Sequence, residues 1–330
     1  MRLDAAATVF SKWLSNSETP ELPQRLAVGW SGGADSTALL LALNASGRDV
    51  LAWHVDHGWR ASSYLESEAL ARQAEAWDIP FYAARLDVSP EVNREAEARE
   101  GRFAQFLAWS RESDITTLCL AHNLDDQAET VCMRLLQGAG AGGCRGMQSE
   151  RIYHGLHIVR PLLHVSGSEL RQTLKLAGCG WFEDPSNSDM SIWRNRVRFQ
   201  LFPRINDAGV DPAQLFLRWQ KQAQKLACEL DRGADELLGS VLRDRGVRDV
   251  VKLSWAAWAK SSSVIRARVL QRMMAQLFGG GVTPGRRHIL LVEEWTARGG
   301  RGGVDLSRCR LQRVRGDLHL LATGSVCAIN

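Results

Sequence analysis

Short apolar, β-rich runs alternate with amphipathic stretches through the first 180 residues of this chain. The runs at 25–30, 49–55, 80–86, 115–121 and 156–160 have strand length, and the stretches near 36–45, 62–77, 93–112 and 125–137 have helical spacing. Such alternation predicts an α/β fold built on a doubly wound parallel sheet. After residue 205 it stops: 207–212 reads as a turn, long amphipathic segments follow at 213–238 and 264–278, and a basic, hairpin-like run occupies 299–321. The pattern predicts two domains, an α/β domain over 1–205 and a smaller, mainly helical one over 206–330.

In an open sheet of this kind ligands bind outside the carboxyl ends of the strands, and polar residues collect just after three of the predicted strands. Ser31-Gly32-Gly33-Ala34-Asp35-Ser36-Thr37 follows the first, His54-Val55-Asp56-His57-Gly58 the second, and His122-Asn123-Leu124-Asp125-Asp126-Gln127-Ala128-Glu129-Thr130 the fourth. A buried strand entering a glycine turn and then a helix aims backbone N–H groups and a helix dipole at one spot, where a phosphate can bind. No Lys follows the glycines at Walker spacing. Glycines and hydroxyls alone would hold the β- and γ-phosphates as a leaving group and leave the α-phosphate open, which favours AMP transfer. The Ser-Gly-Gly-x-Asp-Ser run resembles the signature of the PP-loop ATP pyrophosphatases, which adenylate a substrate oxygen and release pyrophosphate.

Composition adds bounds. The 330 residues, 45% hydrophobic and 24% charged, lie in the ordinary globular range and allow two cores. The longest apolar stretch, 38–43, is far too short for a membrane span, so neither membrane insertion nor secretion is expected. Seven scattered cysteines without a Cys-x-x-Cys pair suit reduced thiols in a cytoplasm and argue against a zinc or iron–sulfur site. The net charge of +4 conceals an asymmetry: residues 1–205 hold 21 Lys and Arg against 25 Asp and Glu, residues 206–330 hold 20 against 12. A polyanion partner for the second part follows naturally.

Further constellations lie within the first domain. Arg99 and Arg102, three apart on a predicted helix, share a face and could grip a phosphate or a carboxylate, while Gly101 between them suggests close approach by another backbone or a ligand. Asp125 is expected to cap its helix; Asp126 and Glu129, three apart, would project toward the strand ends, one to bind a cation and one to orient an amine. The glycine-rich run 138–147 reads as a mobile active-site loop or a long connector. Asp184-Pro185-Ser186-Asn187 is turn chemistry. Arg194, Arg196 and Arg198 cannot all lie on one helical face, so some must turn inward to acids or the site and others outward to solvent or RNA.

Taken together, these runs, the Leu136-Gln137-Gly138 and Gly146-Met147 ends of the glycine loop, Arg160-Pro161-Leu162, and Arg194-Asn195-Arg196 resemble the tRNA(Ile)-lysidine synthetases from about residue 26 to 205. Trp59, Phe103, Cys144 and Val197 depart mildly, standing where Leu, Tyr, Leu and Ile are expected. The second domain looks like that family's tRNA-binding helical domain, with 311–320 similar to its closing hairpin, and the resemblance leads to the expectation that the extra C-terminal domain of longer members is missing. The resemblance implies ATP-dependent transfer of free L-lysine to C2 of the wobble cytidine in the CAU anticodon of tRNA(Ile), through an adenylated tRNA. It implies that Ser31, Gly32, Gly33, Ala34, Asp35, Ser36 and Thr37 bind ATP, with His54 and Asp56 near the adenosine and Asp35 beside Mg2+. Catalytic weight falls on Asp35, Arg102, His122 and Asp126; Asp126 and Glu129 would serve the lysine, with Asp126 alternatively at the metal; Arg194, Arg196, Arg198, Arg313 and Arg315 would meet tRNA. Rival expectations are a tRNA thiolase of the same loop type, a non-catalytic nucleotide-binding RNA module and a small-molecule amidating ligase.

Overall fold

A computed structural model describes residues 3–58, 63–86, 94–183, 188–239, 250–278 and 284–322. Contacts divide the chain into two compact units, Met1–Lys221 and Gln222–Asn330. The Asp184 to Asn187 turn and Trp59 lie outside the described residues.

The first unit runs α1 (Leu3–Leu14), β1 (Arg25–Gly29), α2 (Ala34–Ala45), β2 (Asp49–Asp56), α3 (Ser63–Ala76), β3 (Phe81–Arg85), α4 (Arg94–Ser113), β4 (Thr117–Cys119) and α5 (Leu124–Leu136). It continues through β5 (Glu150–Tyr153), β6 (Leu156–Val159), α6 (Gly167–Leu176), α7 (Trp193–Arg196), a π-helical turn Val197–Leu201 and α8 (Phe202–Asp207) into α9 (Pro212–Gly239). The sheet order is β3-β2-β1-β4-β6-β5. Its first five strands are parallel, as the alternation predicts. The exception is the edge strand β5, antiparallel to β6: His154 and Gly155, both at positive φ, make the tight two-residue turn of a hairpin.

Each face of the sheet carries a core. On one, Phe10, Trp13, Leu39, Leu41, Leu170 and Leu174 pack from α1, α2 and α6. On the other, Phe103, Phe106 and Trp109 of α4 cover Trp53, Leu118 and Ile158. The apolar run 38–43 is buried all round, which is why α2 reads as uniformly apolar rather than amphipathic. The expectation for Gly101 is corrected: a Cβ would stand 2.9 Å from Leu86 Cδ1, so what approaches closely is a side chain packed on this core rather than a backbone or a ligand.

In the second unit β7 (Val250–Ser254), α10 (Trp255–Lys260), α11 (Ser263–Phe278) and α12 (Arg286–Ala297) precede β8 (Gly303–Leu306), β9 (Cys309–Val314) and β10 (Asp317–Ala322). The helices pack on an antiparallel sheet ordered β7-β10-β9-β8, around Trp258, Met273, Leu311 and Leu318. Arg315 and Gly316, both at positive φ, turn β9 into β10. No described helix is long and apolar enough to cross a membrane.

Candidate active site at the reversal of strand order

From β1 the chain winds outward to β2 and β3 on one side, and β4 and β6 lie on the other. The crevice is therefore expected between the carboxyl ends of β1 and β4, where the Ser31 to Thr37 loop and the His122 to Glu129 segment emerge. Gly32 has φ +82°, and a Cβ there would stand 2.9 Å from Leu70 and 3.2 Å from Phe182. Only glycine suits both that backbone and that space. Gly32 O also accepts the Phe182 N–H at 2.9 Å. Ser31 N–H donates to Ser36 Oγ (3.2 Å), whose hydroxyl donates to Gly33 O (3.1 Å). Thr37 is buried beneath the loop, donating to Gly32 O (3.4 Å) and accepting the Trp30 indole N–H (3.0 Å). Thr37 thus braces the turn from below. The N-terminus of α2 and its first N–H groups are left to face a ligand.

The loop is tied to the second segment by one side chain. Asn123, 3% exposed, caps α5: its Oδ1 accepts Asp126 N–H (3.0 Å) while Asp126 Oδ2 accepts Asn123 N–H (3.1 Å), a closed capping box. The remaining amide of Asn123 donates to Asp35 Oδ2 at 3.0 Å. The expectation that Asp125 caps this helix is corrected; α5 begins one residue earlier, and Asp125 instead accepts Gly167 N–H at the start of α6 (3.1 Å). Asp35 Oδ1 is buried with no hydrogen-bond partner among the described residues. Burial, then the nearby Asp126 carboxylate, pushes the Asp35 pKa from 3.8 up to about 6, against the pull of Arg171 and Arg198.

Glu129 is 1% exposed and already matched. Arg198 meets it through two bonds, Nε to Oε1 at 2.6 Å and Nη2 to Oε2 at 3.1 Å, and reaches Asp126 Oδ1 at 3.4 Å. Arg194 lies 3.6 Å from the same carboxylate and donates to Thr130 Oγ1 (3.1 Å). Glu129 is thus already paired inside the protein, and Arg194 and Arg198 are the arginines of this run that reach inward to an acid, each with over a third of its side chain still exposed. Their separation by four positions through a π-helical turn puts both on one face. Arg196 takes the other, stacked 4.8 Å over the Trp193 ring.

His54 and Asp56 also have internal work. His54 Nδ1 bonds Trp30 O (2.9 Å), and burial lowers its pKa. Asp56 accepts Gly58 N–H (2.8 Å) and Ser63 Oγ–H (2.7 Å). Both shape the exit of β2. Beyond β4, the His122 pKa falls from 6.5 to about 3 through burial and the fields of Arg160, Arg194, Arg102 and Arg99, and its Nδ1 has no partner among the described residues. The glycine-rich run is held at its far end by Gln127, which donates to Met147 O (2.9 Å) and accepts Met147 N–H (2.6 Å). In the second unit Arg313 donates to Gly299 O (3.0 Å) over the Trp255 ring, and Arg315 stands exposed at its hairpin turn.

A glycine turn after the first strand, joined across the reversal of strand order to an acidic helix start, defines a PP-loop nucleotide-binding domain. Residues 6–205 match the PP-loop domain family. The chain belongs to the tRNA(Ile)-lysidine synthase family. It is 34% identical over 217 residues to the tRNA(Ile)-lysidine synthase of Chlamydia felis, covering 65% of this chain and 68% of that protein. It is 36% identical over 281 residues to that of Thermus thermophilus, covering 83% of this chain and 52% of that longer protein. The U34-tRNA thiolase NcsA of Methanococcus maripaludis shares the fold, with TM-score 0.54 and 16% identity over 67% of this chain and 78% of that one.

Proposed function

We propose that this chain uses ATP to join lysine to C2 of the wobble cytidine in a tRNA(Ile) bearing the CAU anticodon, giving lysidine, AMP and pyrophosphate. The observation that carries the reading is the Asp35–Asn123–Asp126 linkage, which couples the nucleotide loop to the α5 helix start at hydrogen-bond distance. Family membership supports it.

In the first half-reaction the backbone of residues 31–34, the Ser31 and Ser36 hydroxyls and the α2 dipole hold the β- and γ-phosphates. The cytidine O2 attacks the α-phosphorus, the bond to the bridging oxygen breaks, and pyrophosphate leaves. Arg102 offsets charge growing on the α-phosphate. The unpartnered, buried Asp35 Oδ1 fits a divalent cation that takes one or two carboxylates and completes its shell with phosphate oxygens and water. Mg2+ held there would neutralise phosphate charge.

In the second half-reaction the lysine Nζ attacks C2, the C2–O bond breaks, and AMP departs with that oxygen. A carboxylate of ordinary pKa near 3.9 does not deprotonate a free ammonium of pKa about 10.4. The amine becomes acidic as it bonds to C2, so Asp126 needs only to orient it while the proton leaves during attack. Burial, and then the field of the surrounding arginines, keeps His122 a neutral imidazole; a bound phosphate would offset the second of these and raise its affinity for a proton.

The test is incubation of pure protein with ATP, labelled lysine and unmodified tRNA(Ile) carrying the CAU anticodon. Label moves to the RNA. Absence of transfer while ATP binds overturns the reading, and pyrophosphate release without RNA would point to a small-molecule ligase.

A further inference from the structure

Beyond His122 the site gathers positive charge. Arg99 and Arg102 come from α4, Arg151 from β5, and Arg160 from the end of β6. Among the described residues none of the four pairs with a carboxylate; the charged groups acting on Arg102 and Arg160 are other arginines, and only Tyr153 opposes the field at Arg99. Arg160 is 5% exposed, and its side chain donates from Nη1 to Gln148 O (2.8 Å). The Nε atoms of Arg151 and Arg160 and Nδ1 of His122 are all buried without partners among the described residues. Like charges and orphaned donors held this way are unfavourable until an anion arrives.

The cluster also has flat surfaces. The Arg99 and Arg151 guanidinium carbons each stand 5.4 Å from the Phe103 ring centroid, and Arg151 stands 5.3 Å from that of Tyr153. We propose that Arg99, Arg151 and Arg160 form a phosphodiester subsite, separate from the nucleotide loop, that takes the RNA backbone beside the reacting base. The loop follows β1, whereas Arg160 and Arg151 belong to β6 and β5, two and three strands along the sheet; at about 4.8 Å per strand that is roughly 10 Å or more. An amino-acid carboxylate needs one guanidinium fork. Several guanidinium groups interleaved with aromatic rings suit a phosphate next to an unstacked base. This subsite rests on the reading that the substrate is an RNA.

Arg151→Gln and Arg99→Gln in the full chain test it, because neither side chain is fully buried and folding can be checked by thermal melting. Unmodified tRNA with the CAU anticodon is titrated at several salt concentrations, alongside ATP binding and the KM for lysine. Each variant should bind tRNA about tenfold more weakly with a salt slope shallower by about one, at unchanged ATP affinity and lysine KM. An unchanged tRNA slope with a raised lysine KM would make this a carboxylate subsite, and a raised ATP Kd would merge it with the nucleotide site; either overturns the proposal, as does no change at all. If the wild-type chain binds ATP and no tRNA, the RNA reading itself fails.

Discussion

The two sides of the crevice solve opposite electrostatic problems. On the β1/β4 side, carboxylates gather: Asp126 and Glu129 are matched by Arg198, Asp125 by a helix N–H, and Asp35 Oδ1 is left over among the described residues. On the β6/β5 side guanidinium groups gather, and no described acid matches them. The first side is nearly balanced and the second is not. A fold that satisfied both internally would be more stable, and it would leave no place for the cation and the RNA phosphate proposed above. The satisfied groups hold the geometry of the crevice, and the proposed cation and RNA contacts rest on the unpartnered groups that lie within it.

Asp35→Asn breaks the acidic side most severely. It should lower AMP formation by about a thousandfold, as loss of a key electrostatic contact does, and yet stabilise the fold. Because the folded pKa of about 6 lies above the ordinary 3.8, the carboxylate destabilises the native state progressively from about pH 4 to pH 6 and fully above that, by up to about 3 kcal/mol. Urea unfolding of both proteins at about pH 3.5 and about pH 7.5, on either side of that range, should show the variant's advantage at the higher pH. Equal stability at both would remove the claim of an uncompensated charge.

Arg198→Ala tests whether the balanced groups are structural. It leaves Glu129 buried without its two bonds, so unfolding should become easier by about 3 kcal/mol, with the double variant Arg198→Met, Glu129→Leu recovering much of the loss. A change confined to tRNA binding would return Arg198 to the RNA surface. Asp126→Asn should slow lysine use by about 100-fold while adenylation persists, so that adenylated tRNA accumulates. Equal loss of both half-reactions would put Asp126 at the metal instead. The smallest effect concerns the basic side: Arg160→Gln should move the His122 titration upward from about 3, read by NMR in the unliganded protein, and an unmoved titration would remove Arg160 from its causes.

The local pattern of the chain was enough to recognise the α/β alternation, the glycine turn after β1 and the acidic start of α5, because strand and helix periods and turn residues are written in neighbouring positions. The hairpin end of the second unit was legible for the same reason. The spacing of Arg194, Arg196 and Arg198 even required a split between inward and outward side chains. Partner choice was beyond it. That Asn123 rather than Asp125 caps α5 and reaches Asp35, 88 positions away, depends on β1 and β4 lying side by side. That Glu129 is consumed by Arg198, and that Arg151 and Arg160 join Arg99 beside Phe103, depends on a π-helical turn and on an antiparallel edge strand that no periodicity announced. Charge and residue type are local properties of the sequence, whereas burial and the presence or absence of a counter-charge are properties of the packed chain.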